Sequence, residues 1–373
     1  MPTPPCLRIA IIGAGPAGLS AAIELQKLPF VDLRIYGQAS VLREIGTGLN
    51  IQRNTWRMLD VMDASRNISL EEIFRSADGH AVQHRNGRTG ELIQSHGQGG
   101  TPPAHLHARA FRSVLQKALL KNVDNSQIYL SSQLISITET PTGSLALTFS
   151  NNRTSTVDLL IGADGVRSLV RQFAFPDYNL VYTGKTAYRG LIPAERLLSI
   201  PGFPDAVTFW HGPKDCVYTC NLRHGVYELT CLANVPDDGE RKKEILGQAT
   251  EIQQFALFTG AGAGFALEDS YVLSQTLSWA HNRGHSISCG LDLYDRVRSP
   301  HYKAMYDILS GFGRSDAEMD RLNLGFDEAV AHSFGINGGR SLRGFMGTMY
   351  VQAVWEKAVQ EEDARMQQAA AYL

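Results

Sequence analysis

The sequence predicts an α/β fold with a Rossmann-like beginning, a second antiparallel sheet and C-terminal helices, and three observations carry that prediction. Leu7 to Ile12 is a short apolar run rich in β-branched residues, which ends at Gly13, Gly15 and Gly18 before a helical stretch from Leu19 to Lys27. After a break at Pro29, Asp32 to Tyr36 reads as a second strand and completes a βαβ unit. From Tyr182 to Val235 the pattern changes to short alternating segments rich in Tyr, Val, Thr and Cys, as expected of an antiparallel sheet.

The remaining elements follow in order. Arg109 to Leu120 reads as helix, Gln127 to Thr140 and Ser144 to Ser150 as strands about a Pro-Thr-Gly turn, and Asp158 to Ile161 as a buried strand. Ala266 to Trp279 returns to helix, and the Ala-, Gln- and Glu-rich tail from Val351 to Leu373 reads as a plain surface helix. A chain of 373 residues is long enough for a large core and for two interleaved domains.

Composition narrows the partners. With 35 Lys plus Arg against 37 Asp plus Glu, no global field draws the chain to nucleic acid or to an anionic membrane, and a small-molecule partner fits better. The five cysteines (Cys6, Cys216, Cys220, Cys231, Cys289) are scattered without a CxxC pair, so they are expected to be reduced. The N-terminus lacks the basic start and cleavage site of a signal peptide, and the uncharged run from Ile9 to Ala22 is too short to span a membrane. A soluble cytoplasmic protein is the expectation. His105 and His107 stand two apart without an HExxH or a matching carboxylate, so no metal site is predicted.

The spacing Gly13-x-Gly15-x-x-Gly18 between a strand and a helix is the context in which GxGxxG signifies dinucleotide binding. The first glycine allows the tight turn, the second lets a pyrophosphate approach the backbone, and the third lets helix pack on strand. The phosphates then meet free N–H groups and the positive end of the helix dipole.

A second signature, DLLIGADGVRSLVR from Asp158 to Arg171, resembles the DG segment of the class A flavoprotein monooxygenases. These are the salicylate and para-hydroxybenzoate hydroxylase group, and the likeness is to their fungal polyketide-modifying branch. Arg43 to Asp60 is similar to that family's segment beside the flavin, and His105 to Leu115 to its arginine before a helix. Tyr182 to Pro193 is similar to a strand bordering the substrate, and Gly260 to Ser270 to the glycine-rich turn and helix under the flavin ring. The resemblance implies a Rossmann-like FAD-binding domain of the GR2-type βαβ kind with an interleaved substrate sheet. Residues 1–60, 100–175 and 245–300 would form the discontinuous FAD-binding domain, 61–99 and 176–244 the substrate-binding sheet domain, and 301–373 a C-terminal helical region.

By the same resemblance Gly13, Gly15 and Gly18 would hold the pyrophosphate, Gly48 would lie near the flavin, and Arg109 would contact the cofactor from its helix. Asp164 and Gly165 would stabilise the cradle, and Gly262 with Ala263 would form the turn under the ring. Arg189 would anchor a substrate phenolate, with Tyr218 or Cys220 lining the pocket on one face of a strand. FAD would be the cofactor, NAD(P)H a transient co-substrate, and a phenolic aromatic the substrate of a hydroxylation.

The chain departs from the family in three places. Where an acid should accept from the adenosine ribose, nineteen residues after Gly18, stands Gly37. Where an aspartate should hold the ribityl chain, the nearest match offers Gln248, and the stretch before it, Val235 to Ile245, is short. Where relatives carry a tyrosine against the substrate, the alignment gives Cys220, two positions from Tyr218. Hydrogen bonds to charged groups contribute roughly 1.5 to 3 kcal/mol each, so losing two carboxylates weakens FAD binding by about 100- to 10,000-fold. Two other readings therefore stay open: a flavin-weak or flavin-free relative catalysing a cyclisation, dehydration or isomerisation, and a non-catalytic remnant.

Overall fold

The computed structural model describes residues 6–42, 48–180, 184–235, 261–338 and 350–371. In chain order the elements are β1 (Leu7–Ile12), α1 (Pro16–Leu25), β2 (Val31–Tyr36), β3 (Gly48–Ile51), α2 (Arg53–Val61), β4 (Ile73–Phe74), β5 (Val82–Asn86), β6 (Leu92–His96), β7 (Ala108–Phe111), α3 (Arg112–Leu120) and β8 (Ile128–Tyr129). They continue with β9 (Leu134–Glu139), β10 (Leu145–Phe149), β11 (Thr154–Val157), β12 (Leu159–Gly162), α4 (Leu169–Ala174), β13 (Lys185–Pro193), α5 (Ala194–Leu198), β14 (Thr208–His211), β15 (Cys216–Asn221) and β16 (Val226–Asn234). Helices α6 (Ala261–Asn282), α7 (Ile287–Arg321), α8 (Phe326–Gly338) and α9 (Val351–Ala371) complete it.

The parallel sheet, in order β12-β1-β2-β8, is the Rossmann-like core. Because side chains alternate along a strand, β1 serves two cores at once. Ile9 and Ile11 face α1, α3 and α6 in the larger cluster, while Ala10 and Ile12 face the antiparallel sheet β11-β10-β9 through Leu147, Phe149 and Val157. On β2, Leu33 and Ile35 go to the helices, while Tyr36 goes to the other layer and stacks on Phe149 at 4.2 Å. Long-range polar ties fix α1 to α6, with the Ser20 and Ser270 hydroxyls 2.9 Å apart and Ser274 donating to the Glu24 carbonyl at 2.9 Å.

A second, six-stranded sheet runs β13-β16-β15-β14-β5-β6, antiparallel except between β14 and β5. The register carries one row of residues across it: Arg189 faces Thr230, Thr230 faces Tyr218, Tyr218 faces Phe209 and Phe209 faces His84. Paired residues share a face, so Glu228 and Cys220, His211 and His96 lie on that face as well. Against it packs a small sheet, β3-β7-β4, whose Phe74 joins Phe209, Tyr218 and Cys220 in one apolar cluster.

Three sequence expectations are corrected. The residues expected to open a helix at Arg109 form β7 instead, because pairing with β3 and β4 captures Ala108 to Phe111 before α3 begins at Arg112. The strand expected from Gln127 to Thr140 is split into β8 and β9, since the chain turns through Ser131 at φ 52°. The tail is not a plain surface helix: Val351 and Trp355 are buried, the indole of Trp279 donates to Asp363 at 3.0 Å, and Arg296 pairs with the buried Glu362 at 2.5 Å. Trp355→Ala is therefore expected to cost about 3–5 kcal/mol in urea unfolding, where a surface tryptophan would cost almost nothing.

The sheet also carries a pH-sensitive element. His211 lies 2.8 Å from His84, which lies 3.0 Å from His96, and burial pushes the His211 pKa down to about 4. The unfolded chain binds a proton near pH 6.5 that folded His211 refuses until about pH 4, so this stability is complete above pH 6.5 and is lost as pH falls through that window. The loss amounts to roughly 2–3 kcal/mol. Urea titrations of His211→Gln between those limits should show a correspondingly shallower pH dependence than those of the parent protein.

Candidate functional site: a glycine cradle and a buried carboxylate

At the carboxyl ends of β1, β2 and β12 the structure brings together Gly13, Gly15, Gly18, Gly37, Asp164 and Gly165. Gly13 has φ +111°, and a Cβ there would lie 2.1 Å from the Ala163 carbonyl oxygen. A Cβ on Gly18 would lie 1.9 Å from the Gly13 carbonyl oxygen, so this turn admits no side chain at either place. Helix α1 starts behind it with Gly15 as N-cap, without a capping side chain and without an acid in its first turn. That leaves donors and the positive dipole end for an anion. The Gln116 amide donates to the Ala14 carbonyl at 3.2 Å and ties the cradle to α3.

Asp164 serves two purposes with its two oxygens. Oδ2 accepts the Leu169 N–H at 2.8 Å at the start of α4, while Oδ1 is buried without a protein partner. Gly165 has φ +80° and open space around its Cα, so glycine there answers a backbone need alone. The end of β2 differs. Gly37 offers no side chain, its N–H is spent on the Tyr129 carbonyl and its carbonyl on the Ser132 N–H.

A second group gathers around Glu228, a residue absent from the sequence-derived candidates. Its carboxylate is fully buried and pairs with the buried Arg109, whose guanidinium lies 4.9 Å above the Tyr218 ring. Glu228 also accepts the Gly48 N–H at 3.1 Å and the Thr230 hydroxyl at 3.4 Å, and lies 3.8 Å from Arg189. Burial alone would disfavour charge on Arg109, but Tyr218 and Glu228 more than offset it and the pKa is raised. For Arg189 burial prevails over the attraction of Glu228, with repulsion from Arg109 and Arg112 added, and the pKa is lowered. Gly48 is required by crowding: a Cβ would lie 2.4 Å from Leu222 Cδ2, 2.7 Å from Arg109 Nε and 2.8 Å from Glu228 Oε2.

Tyr218 and Cys220 share this wall. The Tyr218 hydroxyl donates to Asn50 at 3.5 Å, and its pKa is pushed well up by burial. Burial likewise pushes the Cys220 thiol up to about 12, so it is a neutral, fully enclosed group at working pH.

Gly262 and Ala263 stand in the first turn of α6, which abuts the start of α2. A Cβ on Gly264 would lie 2.8 Å from the side chains of both Asn54 and Thr55. Asn54 donates to Glu268 at 3.1 Å, and Glu268 and Asp269 clasp the buried Arg298 at 3.1 Å and 2.7 Å, which fixes α2, α6 and α7 together. Gln248 lies outside the described residues. Among the described residues, no group of three or more His, Cys, Asp or Glu is arranged to hold a metal, and no helix is long and apolar enough to cross a membrane.

Residues 7–178 match the FAD binding domain family. A curated relative, the 3-amino-4-hydroxybenzoate 2-monooxygenase PtmB3 of Streptomyces platensis, is 28% identical over 235 residues, which are 62% of this chain and 57% of the relative. The FAD-dependent monooxygenase pigN of Monascus ruber is 30% identical over 277 residues, 69% of this chain and 62% of the relative. The chain thus spans about three fifths of the length of these relatives. A solved salicylate hydroxylase substrate complex superposes with a TM-score of 0.69 over 95% of this chain and 98% of that one at 19% identity, which establishes a common fold. Residues 7–178 thus match the FAD binding domain family, and the chain is similar to FAD-dependent monooxygenases over about three fifths of their length.

Proposed function

We propose that the protein is a cytoplasmic FAD-dependent monooxygenase that hydroxylates a small phenolic aromatic, with NAD(P)H and O₂ as co-substrates. The observation that carries this reading is the uncapped start of α1 beside the unpartnered, buried Oδ1 of Asp164. The cradle fits the diphosphate and sugar-alcohol parts of FAD, and the five free cysteines suit a reducing compartment. When bound, FAD supplies the activation of O₂ with electrons from NAD(P)H.

The residue roles in this reading follow from their chemistry. Gly13, Gly15 and Gly18 let the diphosphate reach the N–H groups of α1. Asp164 Oδ1 accepts a cofactor hydroxyl while Oδ2 keeps its hold on α4, and Gly165 shapes the turn. Gly48, Gly262 and Ala263 border the ring, and Gln248 takes the place of the ribityl acid. Arg109 reaches the cofactor side from a strand, anchored by Glu228. Arg189 holds the substrate oxygen as an anion through a charge-assisted bond. Tyr218, kept protonated, is a donor or a packing surface but not a base, and Cys220, kept a thiol, fills space and is not a nucleophile. Residues 1–60, 100–175 and 245–300 serve the cofactor in this scheme, 61–99 and 176–244 the substrate, and 301–373 brace both.

Gly37 is the weak point, since no carboxylate meets the adenosine ribose. A side chain there would meet only Leu130 Cδ2 at 3.1 Å and the Ala14 methyl at 3.4 Å, so the position tolerates one with a small shift. Gly37→Glu is accordingly expected to tighten FAD about 10- to 100-fold in a flavin-fluorescence titration. Unchanged affinity would mean that the loss lies elsewhere. The function itself is tested by the visible spectrum of the protein with added FAD and by NAD(P)H oxidation on adding a resorcinol-type phenol. A protein that takes up no FAD at high micromolar concentration is not this enzyme.

A further inference from the structure

Each oxygen of the Glu228 carboxylate is committed to a different part of the molecule. Oε2 accepts the Gly48 N–H of β3 at 3.1 Å and pairs with Arg109 of β7. Oε1 lies 3.8 Å from Arg189 on β13 and accepts from Thr230 at 3.4 Å. The first pair belongs to the small sheet within the FAD binding domain, the second to the six-stranded sheet. We propose that Glu228 is a positioning residue that couples the two sites, so that an aromatic anion engaging Arg189 is felt at Gly48 and Arg109.

The physical basis is that one charge is shared between two rigidly linked oxygens in a place without water. A carboxylate is planar, so Oε1 and Oε2 move together. Glu228 is 0% exposed, so solvent does not buffer a change in its pairing. An anion that draws Arg189 toward itself weakens the pull on Oε1 and strengthens the hold of Arg109 on the same group. Gly48 has no room to ignore such a shift, because a Cβ there would already lie within 2.8 Å of Oε2, Arg109 Nε and Leu222 Cδ2. Arg109 Nε is itself buried without a partner and lies beside Gly48, so a shift of the guanidinium is met at Gly48 first. Coupling of this kind is reciprocal in the two ligands.

This inference rests on the reading of Arg189 as the substrate arginine and of Gly48 as a neighbour of the flavin. Its test is the FAD dissociation constant of the full chain by fluorescence titration, without and with saturating benzoate as the aromatic anion, in the parent protein, Glu228→Gln and Glu228→Asp. Glu228→Gln keeps the shape and removes the charge; Glu228→Asp keeps the charge and removes the reach, and it holds Arg109 compensated if the glutamine variant does not fold. Benzoate is expected to tighten FAD roughly fivefold in the parent protein. In both variants the ratio should fall to about one while FAD binding remains measurable. A purely structural Glu228 would weaken both ligands and lower the melting temperature while leaving the ratio intact, and that result overturns the proposal. A parent protein that binds both ligands independently overturns it too. A parent protein that binds no FAD overturns the functional reading, and this inference with it.

Discussion

The pairing of Glu228 with Arg109 is the constraint on which the arrangement of the candidate site depends. Both groups are enclosed, and breaking such a pair by removing one partner costs about 3–5 kcal/mol, because the other charge is left without compensation. The pair joins β16 of the large sheet to β7 of the small one, and the Gly48 N–H and Tyr218 ring close around it. An apolar seam of the same area would hold the sheets with comparable strength. It would not hold them in one register, since apolar contacts are non-directional while a carboxylate with defined donors admits a single placement. Crowding at Gly48 follows from the same choice: the chain passes so close to the ion pair that no side chain fits.

How much of this was legible in the sequence depended on whether the signal was local. The βαβ unit, the glycine spacing and the alternation of the second sheet are written within short windows, and β1, α1, β2 and β13 to β16 stand where those windows placed them, while β5 and β6 join the same sheet from outside the window. Arg109 was misplaced because Arg109 to Leu120 carries helical spacing, while its first residues are claimed by strands some sixty and thirty-five positions away, Gly48–Ile51 and Ile73–Phe74. Glu228 was invisible for the same reason. In an alternating strand an inward glutamate reads as an outward one shifted by a register, and only the pairing Cys220↔Glu228 fixes which face it occupies. The one available signal was its separation of two from Thr230: an acid in step with inward residues of a predicted strand is a candidate for burial with an arginine.

Asp164 and Gly37 show how the same sheet end holds two opposite states. Asp164 holds a helix start with Oδ2 while Oδ1 is buried without a protein partner, so α4 orients its carboxylate. Gly37 commits both backbone groups, to Tyr129 of β8 and to Ser132 in the connection after it, and offers no side chain. On the proposed function, a dinucleotide would be anchored at this sheet through its diphosphate, beside the α1 dipole and free N–H groups, rather than through its adenosine ribose. A helix terminus contributes about 0.3–2 kcal/mol through its dipole, and a charged hydrogen bond about 1.5–3 kcal/mol, so the absent carboxylate is comparable to the anchor that remains.

The face of the six-stranded sheet that carries Glu228 changes character along its length. At the β13 edge it is cationic, with Arg189 and the Arg109 that leans onto it; in the middle Tyr218, Cys220 and Phe209 make it apolar; toward β6 it ends in three hydrogen-bonded imidazoles. A ligand with one anionic end and a flat ring matches the first two zones, since the ring lies on the aromatic surface while the anion meets a guanidinium. The aromatic zone also separates the imidazoles from the charged one: Phe209, which carries no proton, stands between His84 and Tyr218 in the row. The separation is incomplete, since β14 and β15 also pair His211 with Cys216, two positions from Tyr218 and in step with it.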